Sequence, residues 1–435
     1  NESPNSPTEV SEGLLLTASQ LGTFALYTGQ LARLTSVLTQ HSAGTDFQFV
    51  DIARYNILEG DNVNEWETVY TKCLVNEDQI ILQAGTDNPY YAGIAKIQKA
   101  MAIGLATDLW GDIPNREAGQ GIQGAEFYNP AYDPQETIFS DIQDLLSAAI
   151  EDLSKSATAN KALPGADDLI HGGNPDAWIN TAWILKARYA LRLSKRSSEA
   201  ANDALGFLNS ANLTGPIDDA NAIFGTNGNE FNQWFAFNNE RGGYMMMGEF
   251  FIDLLKSIND PRLPFLASPD LNGEFVGTPL GSVDNSTSSI GPYLGTNNSI
   301  SPLVTYVEAK FIEAEAHFLN NDLDLAARAL NAAIITHVEL VTGESIPADY
   351  EAAQASETAA TVSLEKIMTH KYVAMFTQVE SYSDWRKTGI PALSANPDGV
   401  INEIPRRLPT PSVERINNTN SFVTSNVLTP VWWDE

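Results

Sequence analysis

The stretch "VTYVEAKFIEAEAHFLNNDLDLAARALNAAIITHVELV", residues 304–341, decides the fold class of this 435-residue chain. Val304, Val307, Phe311, Ala314 and Phe318 recur at steps of three and four, the spacing of one buried helical face. After the polar break at 320–322 a second helix carries Leu323, Ala326, Leu330, Ile334 and Val341, which makes a helical hairpin. Ala326, Leu330 and Ala333 match the small, large, small spacing of the second helix of a tetratricopeptide repeat. Ala314 can take the small position of the first helix, although Glu313 stands where that pattern wants an apolar side chain.

The same period recurs upstream. Ile94, Ile97, Met101 and Leu105 mark one helix, Ile138, Ile142, Leu145, Ala149 and Leu153 a second, and Trp178, Ala182, Leu185, Tyr189 and Leu193 a third. Further helices are predicted at about 9–40, 63–84 and 361–378. The expected fold is mostly α, a tetratricopeptide-like array of helical pairs over 10–209 and 303–378. Residues 210–302 are rich in Gly, Pro, Asn, Ser and aromatics, with a helical period only near 246–258. A structureless loop of that length is improbable, so an irregular insertion shaping a binding surface is expected there, and an irregular cap over 379–435. The opening "NESPNSPTE", residues 1–9, reads as a flexible leader, either a tether or a remnant of cloning.

Composition narrows the function classes. The chain has 25 basic and 55 acidic residues, a formal charge of −30, which opposes nucleic acid, anionic membrane surfaces and polyanionic substrates. Cys73 is the single cysteine and cannot form an internal disulfide; a small buried helical residue is expected. No run reads as the roughly 18 to 20 apolar residues that span a bilayer.

Searches for catalytic chemistry fail. "GQGIQG", residues 119–124, fits G-x-G-x-x-G but follows no β-run and opens no helix, so nothing would cradle a pyrophosphate. His41, His171, His317, His337 and His370 show no metal spacing, and no G-x-S-x-G elbow occurs. Asp167-Asp168 and Asp218-Asp219 read as solvated loop acids with a weak case for calcium. No cofactor, metal or catalytic set is predicted.

Several motifs then stand in a telling order: "ATDLWGDIPNREA" (106–118), "NDPRLPFLASPDLNGEFVGTPLG" (259–281), "SPLVTYVEAKFIEAEAHF" (301–318), "SYSDWRKTGIPAL" (381–393), "IPRRLPTPSVERINN" (404–418) and the terminal "VWWDE" (431–435). In this order they resemble the SusD/RagB family, the surface glycan-binding lipoproteins of Bacteroidetes, from about residue 10 to the C-terminus. The resemblance implies one SusD-like domain of helix pairs with an irregular ligand face, no catalysis, and an N-terminal lipid anchor on the outer face of the outer membrane. It also implies a SusC-like TonB-dependent transporter as partner, receiving captured oligosaccharide. Trp110, Asp112, Pro114, Asp384, Trp385, Arg386, Trp432 and Trp433 read as scaffold within these motifs.

Binding in such a family falls on loops corresponding here to about 41–66 and 221–298. A pyranose presents an apolar C–H face ringed by hydroxyls, so it wants a flat aromatic platform flanked by amides and carboxylates. Asn232, Gln233, Trp234 and Phe235 supply that combination in sequence, with Trp234 as the leading candidate. Asn64 and Trp66 repeat it, though Trp66, Val69 and Tyr70 also fit a helix face. Asp46 and Phe47, beside Gln48, lie in a non-helical loop; His41 borders that loop, and Tyr293 sits on a Gly-Pro turn. Met245 to Met247 are expected to open the central helix and to lie beneath the site. The charge favours a neutral polysaccharide or oligosaccharide, and stacking platforms favour a glucan, with a β-1,3-glucan such as laminarin the first choice. A glycoside hydrolase of the same glycan class and a tetratricopeptide scaffold for protein partners are the alternatives.

Overall fold

The computed structural model describes residues 10–424 and 426–435, without the side chains of 122 and 123; the leader reading for 1–9 lies outside the described residues. Helices pack in succession along the array. Glu12–Thr28 lies against the run 63–84, which leads to Pro89–Trp110, then Gln135–Leu153, Pro175–Arg192, Ala200–Ser210, Tyr306–Leu319 and Leu323–Thr342. Leu364–Ala374 and Glu380–Thr388 close the array.

The 304–341 hairpin forms for local reasons. Thr305 caps Tyr306–Leu319 by accepting from the Glu308 amide at 3.1 Å, and Asn321, at φ +63°, reverses the chain. Ala314, Ala326, Leu330 and Ala333 are fully buried, so the small positions let the two backbones approach. Leu323–Thr342 is, among the described residues, long and apolar enough to cross a bilayer, which corrects the reading that no run qualifies. Half of that segment is buried inside the array, as expected of a core helix.

Buried ion pairs join the helices across this core. Arg188 meets Glu308 at 2.5 Å, Arg192 meets Glu380 at 2.6 Å, Lys371 meets Asp384 at 2.8 Å and Lys387 meets Glu315 at 2.6 Å. Such pairs offset their own desolvation only when the geometry and remaining hydrogen bonds are good, and they fix which helix faces which. Trp433 is fully buried under the guanidinium groups of Arg192 and Arg386, 5.2 and 4.8 Å from its ring. Asp112 accepts from the Gln135 amide and Trp110 donates to the Pro409 carbonyl, so that motif ties one helix to the next.

Residues 210–302 are stitched to the array by short antiparallel ladders: Ala220–Ala222 with Ser301–Val304, and Met245–Met247 with Ser42–Gly44. The methionines are buried as expected but form a strand; the helix begins only at Glu249, after Gly248 in extended conformation. Gln233–Glu240 is a helix inside the stretch read as irregular, because the Asn232 side chain caps it.

The paired acids differ from the solvated loop acids expected. Asp168 is buried and accepts from Gln20 Nε2, Trp178 Nε1 and the Gly173 amide, anchoring a loop. Asp218 accepts from the Thr214 and Gly215 amides and from Asn180. Backbone N–H groups and side-chain donors from the surrounding chain thus satisfy these carboxylates.

Candidate functional site

The Ser42–Gly44 strand continues into a short helix, Phe47–Ala53, through a tight turn. A Cβ on Gly44 would lie 1.8 Å from the Phe49 carbonyl oxygen, so only glycine allows this approach. Asp46 Oδ1 accepts from the Phe47 amide at 2.9 Å and holds Phe47 at φ +43°, a conformation uncommon for a bulky residue. The consequence is an exposed ring, 64 % accessible.

Phe47 stacks on Tyr244, with centroids 4.7 Å apart and planes at 19°. Tyr244 is held by its carbonyl, which accepts from the Thr45 amide at 2.9 Å, while the Thr45 hydroxyl donates to the Gly243 carbonyl at 2.7 Å. Phe237 meets Tyr244 edge-on at 6.1 Å and Phe49 at 5.2 Å. Arg33 lies 4.6 Å over the Phe237 ring and donates to the Gln233 carbonyl. Cation, buried ring, half-buried ring and exposed ring thus form successive layers. The Asn285 amide lies over Gly243, beside Tyr244.

The same strand lines a cleft of about 560 Å³, bounded by Gly44, Tyr55, Glu249, Asp253, 278–282 and Asn396 among others. Exposed Glu249 and Asp253 lie one helical turn apart, so their carboxylates can accept from hydroxyl groups along one side. Gln40 and Tyr55 both have positive φ and are fixed by hydrogen bonds, Gln40 Nε2 to the Ser394 carbonyl and the Asn396 amide to Tyr55 Oη. An aromatic face beside a cleft that carries the Glu249 and Asp253 carboxylates can stack on an apolar ring face and pair its rim of hydroxyls.

Most of the sequence-predicted site residues lie elsewhere. Trp234 is only 3 % exposed, 6.2 Å from Phe376, so the exposed platform expected of it is absent. Asn232 is fully buried: its Oδ1 accepts from the Trp234 and Phe235 amides, and its Nδ2 donates to the Ser299 carbonyl and Ser301 hydroxyl. These bonds leave it nothing for a ligand. Gln233 is half-buried in the first turn of that helix, and Phe235 is half-buried edge-on against Phe231 at 5.2 Å. Trp66 is buried against Trp110, centroids 5.3 Å apart, which settles its two readings in favour of core.

His41 is fully buried, stacked on Tyr372 at 3.8 Å, with Nε2 donating to the Tyr372 carbonyl. Burial drives its pKa down to about 3, so it is a neutral core side chain and not a ligand contact. Asn64 is exposed on the short helix Val63–Thr68. Tyr293 lines a second cavity that shares no lining residue with the cleft. Asp46 and Phe47 remain, joined by Tyr244, which the sequence does not mark as a site residue; the Gly242-Gly243 pair preceding it is the available signal of a turn. Among the described residues no cluster of His, Cys, Asp and Glu could hold a metal ion.

A SusD-like family model, described as starch-binding associating with outer membrane, matches residues 4–411. A search of curated proteins returned no match. A SusD/RagB family protein from Bacteroides thetaiotaomicron superposes with a TM-score of 0.83 at 23 % identity, covering 98 % of this chain and 99 % of its own. A chitin-binding SusD homolog from Flavobacterium johnsoniae gives 0.82 at 20 % identity, covering 97 % and 98 %. A second chitin-binding protein gives 0.81 at 22 % identity, covering 98 % and 100 %. With the helical-pair array and the family match running together over nearly its whole length, the chain belongs to the SusD/RagB family.

Proposed function

We propose that this chain is a non-catalytic glycan-binding protein of the outer-membrane surface. It captures a neutral polysaccharide or oligosaccharide on the Phe47–Tyr244 face and in the adjoining cleft, then passes it to a SusC-like TonB-dependent transporter. The observation that carries this reading is the exposed Phe47 ring, held in a strained conformation and backed by Tyr244 and Phe237. A bare aromatic ring of this kind has little rotamer entropy to lose when a sugar stacks on it. The family match supports the binding role, and the −30 charge supports a neutral ligand. A glucan, first a β-1,3-glucan such as laminarin, fits a stacking platform; family membership is what supports the lipid anchor and the transporter partner in this reading.

Affinity electrophoresis against laminarin, starch and soluble chitin oligosaccharides tests the reading, with wild type and Phe47→Ala in parallel. Retardation of the wild type by a neutral glycan, weakened in the variant and without released product, is expected. Failure of every neutral glycan to retard the wild type overturns it.

A further inference from the structure

The second cavity, of about 370 Å³, opens between the 216–222 segment, the 293–307 segment, the helix Leu323–Thr342 and the turn that follows Leu364–Ala374. Its walls are mainly apolar, with Leu294, Val307, Val373 and Phe376 among them. The polar groups are few: Asp219, Asn221, Tyr293, Thr305, His337 and Gln378. Among the described residues no lysine or arginine lines it.

Asp219 is the only acid in that lining among the described residues. Its Oδ1 accepts from the Tyr306 amide at 2.7 Å, the one hydrogen bond to its carboxylate among the described residues. Burial, with added repulsion from Asp218 and Glu308, pushes its pKa up to about 7. His337 brings no compensating charge. Its Nδ1 lies 2.6 Å from the Arg262 guanidinium, which can only donate, so Nδ1 accepts and the ring is neutral with its proton on Nε2. Burial and the Arg262 charge both push the His337 pKa down. Tyr293 is likewise held neutral by burial and by Asp219, its pKa pushed up to about 12.

The backbone of one wall is a second, independent observation. Thr377, buried and β-branched, sits at φ +70° between Phe376 and Gln378, both of which line the cavity. Backbone outliers of this type persist where the surroundings over-determine them, and they cluster at ligand sites. Gln378 is also buried, and among the described residues its side chain makes only a long 3.5 Å contact with the Ala374 carbonyl, leaving hydrogen-bonding capacity toward the cavity.

We propose that this cavity binds a small organic cation, an apolar body carrying one primary or secondary ammonium group, with the ammonium paired to Asp219. The apolar walls take the body, the ammonium supplies the counter-charge that the lining lacks, and the Tyr293 hydroxyl and His337 Nε2–H are left for a polar substituent. The site is separate from the glycan cleft, so one can fail without the other.

Tryptamine, its neutral isostere indole-3-ethanol and the anion indole-3-propionate are the probes, read by calorimetry on the full chain near neutral pH. Tryptamine is expected to bind about tenfold tighter than indole-3-ethanol, with indole-3-propionate weakest. Asp219→Asn, which keeps an acceptor for the Tyr306 amide, is expected to erase the preference for the amine. Leu340→Trp, at a partly exposed lining position, is expected to fill the cavity and abolish binding even if the first variant folds poorly. Equal binding of the neutral isostere, no binding of tryptamine, or binding that survives Leu340→Trp and is lost in Phe47→Ala would each overturn the proposal.

Discussion

Phe47 and Tyr244 stack face to face at 4.7 Å although they come from distant parts of the chain, joined by the ladder between Ser42–Gly44 and Met245–Met247. Each strand delivers one ring, and hydrogen bonds from Thr45 to Gly243 and Tyr244 fix the register in which they meet. Phe47 is therefore a surface feature built by tertiary structure, and its removal should separate binding from folding.

Phe47→Ala should weaken neutral-glycan affinity by about tenfold, while lost stacking on Tyr244 costs about 1 kcal/mol of stability or less. Calorimetric titration and a thermal melt on the same samples check this. Unchanged affinity with a lowered Tm would reverse the assignment.

Trp234→Ala should cost about 3–5 kcal/mol through a cavity in the core beside Phe376. Trp234→Phe should cost less, because the buried Nε1–H has no partner among the described residues, and should keep glycan affinity. Urea unfolding of both variants gives the ranking; lost affinity in a stable Trp234→Phe protein would return this residue to the binding site.

Gly44→Ala drives a methyl group into the Phe49 carbonyl, and backbone must move to relieve it. Destabilisation of about 1–3 kcal/mol is expected, with weaker glycan binding because the turn presenting Phe47 is displaced. Parallel melts and titrations should show both losses together.

Glu77 is fully buried with, among the described residues, only the Ser19 hydroxyl bonded to it, and burial pushes its pKa up from 4.5 to about 8 against the pull of Ser19 and Lys99. An acid raised on folding binds its proton more tightly in the folded state. Its contribution is complete below the ordinary value of 4.5 and is lost as pH rises through about 8. Glu77→Gln should therefore flatten the fall in Tm between about pH 5 and about pH 9, each tenfold gain in proton affinity on folding being worth about 1.4 kcal/mol. A wild-type Tm that does not fall over that range would refute it.

Arg188→Met leaves the Glu308 carboxylate, which is fully buried, without its guanidinium partner. A loss of about 3–5 kcal/mol is expected, with partial recovery in Arg188→Met/Glu308→Gln. A double-mutant cycle by denaturant unfolding measures the coupling.

The helical frame is legible in the sequence. Val307, Phe311, Ala314, Ala326 and Leu330 repeat at the helical period because each helix buries one face, and that period is written locally. The ordered motifs also carry the family, and the 41–66 loop reads as ligand-facing with Asp46 and Phe47 in it. Which aromatic reaches solvent is decided by tertiary structure alone. Asn232 and Trp234 have the local composition of a sugar platform, but the same asparagine is a helix cap, and its other bonds come from Ser299 and Ser301 far along the chain. His41 likewise reads as a loop histidine until Tyr372 stacks on it. Residue type sets what a side chain can do. Burial and hydrogen-bond satisfaction come from segments distant in sequence, and they determine whether Trp234 or Phe47 is left free to do it.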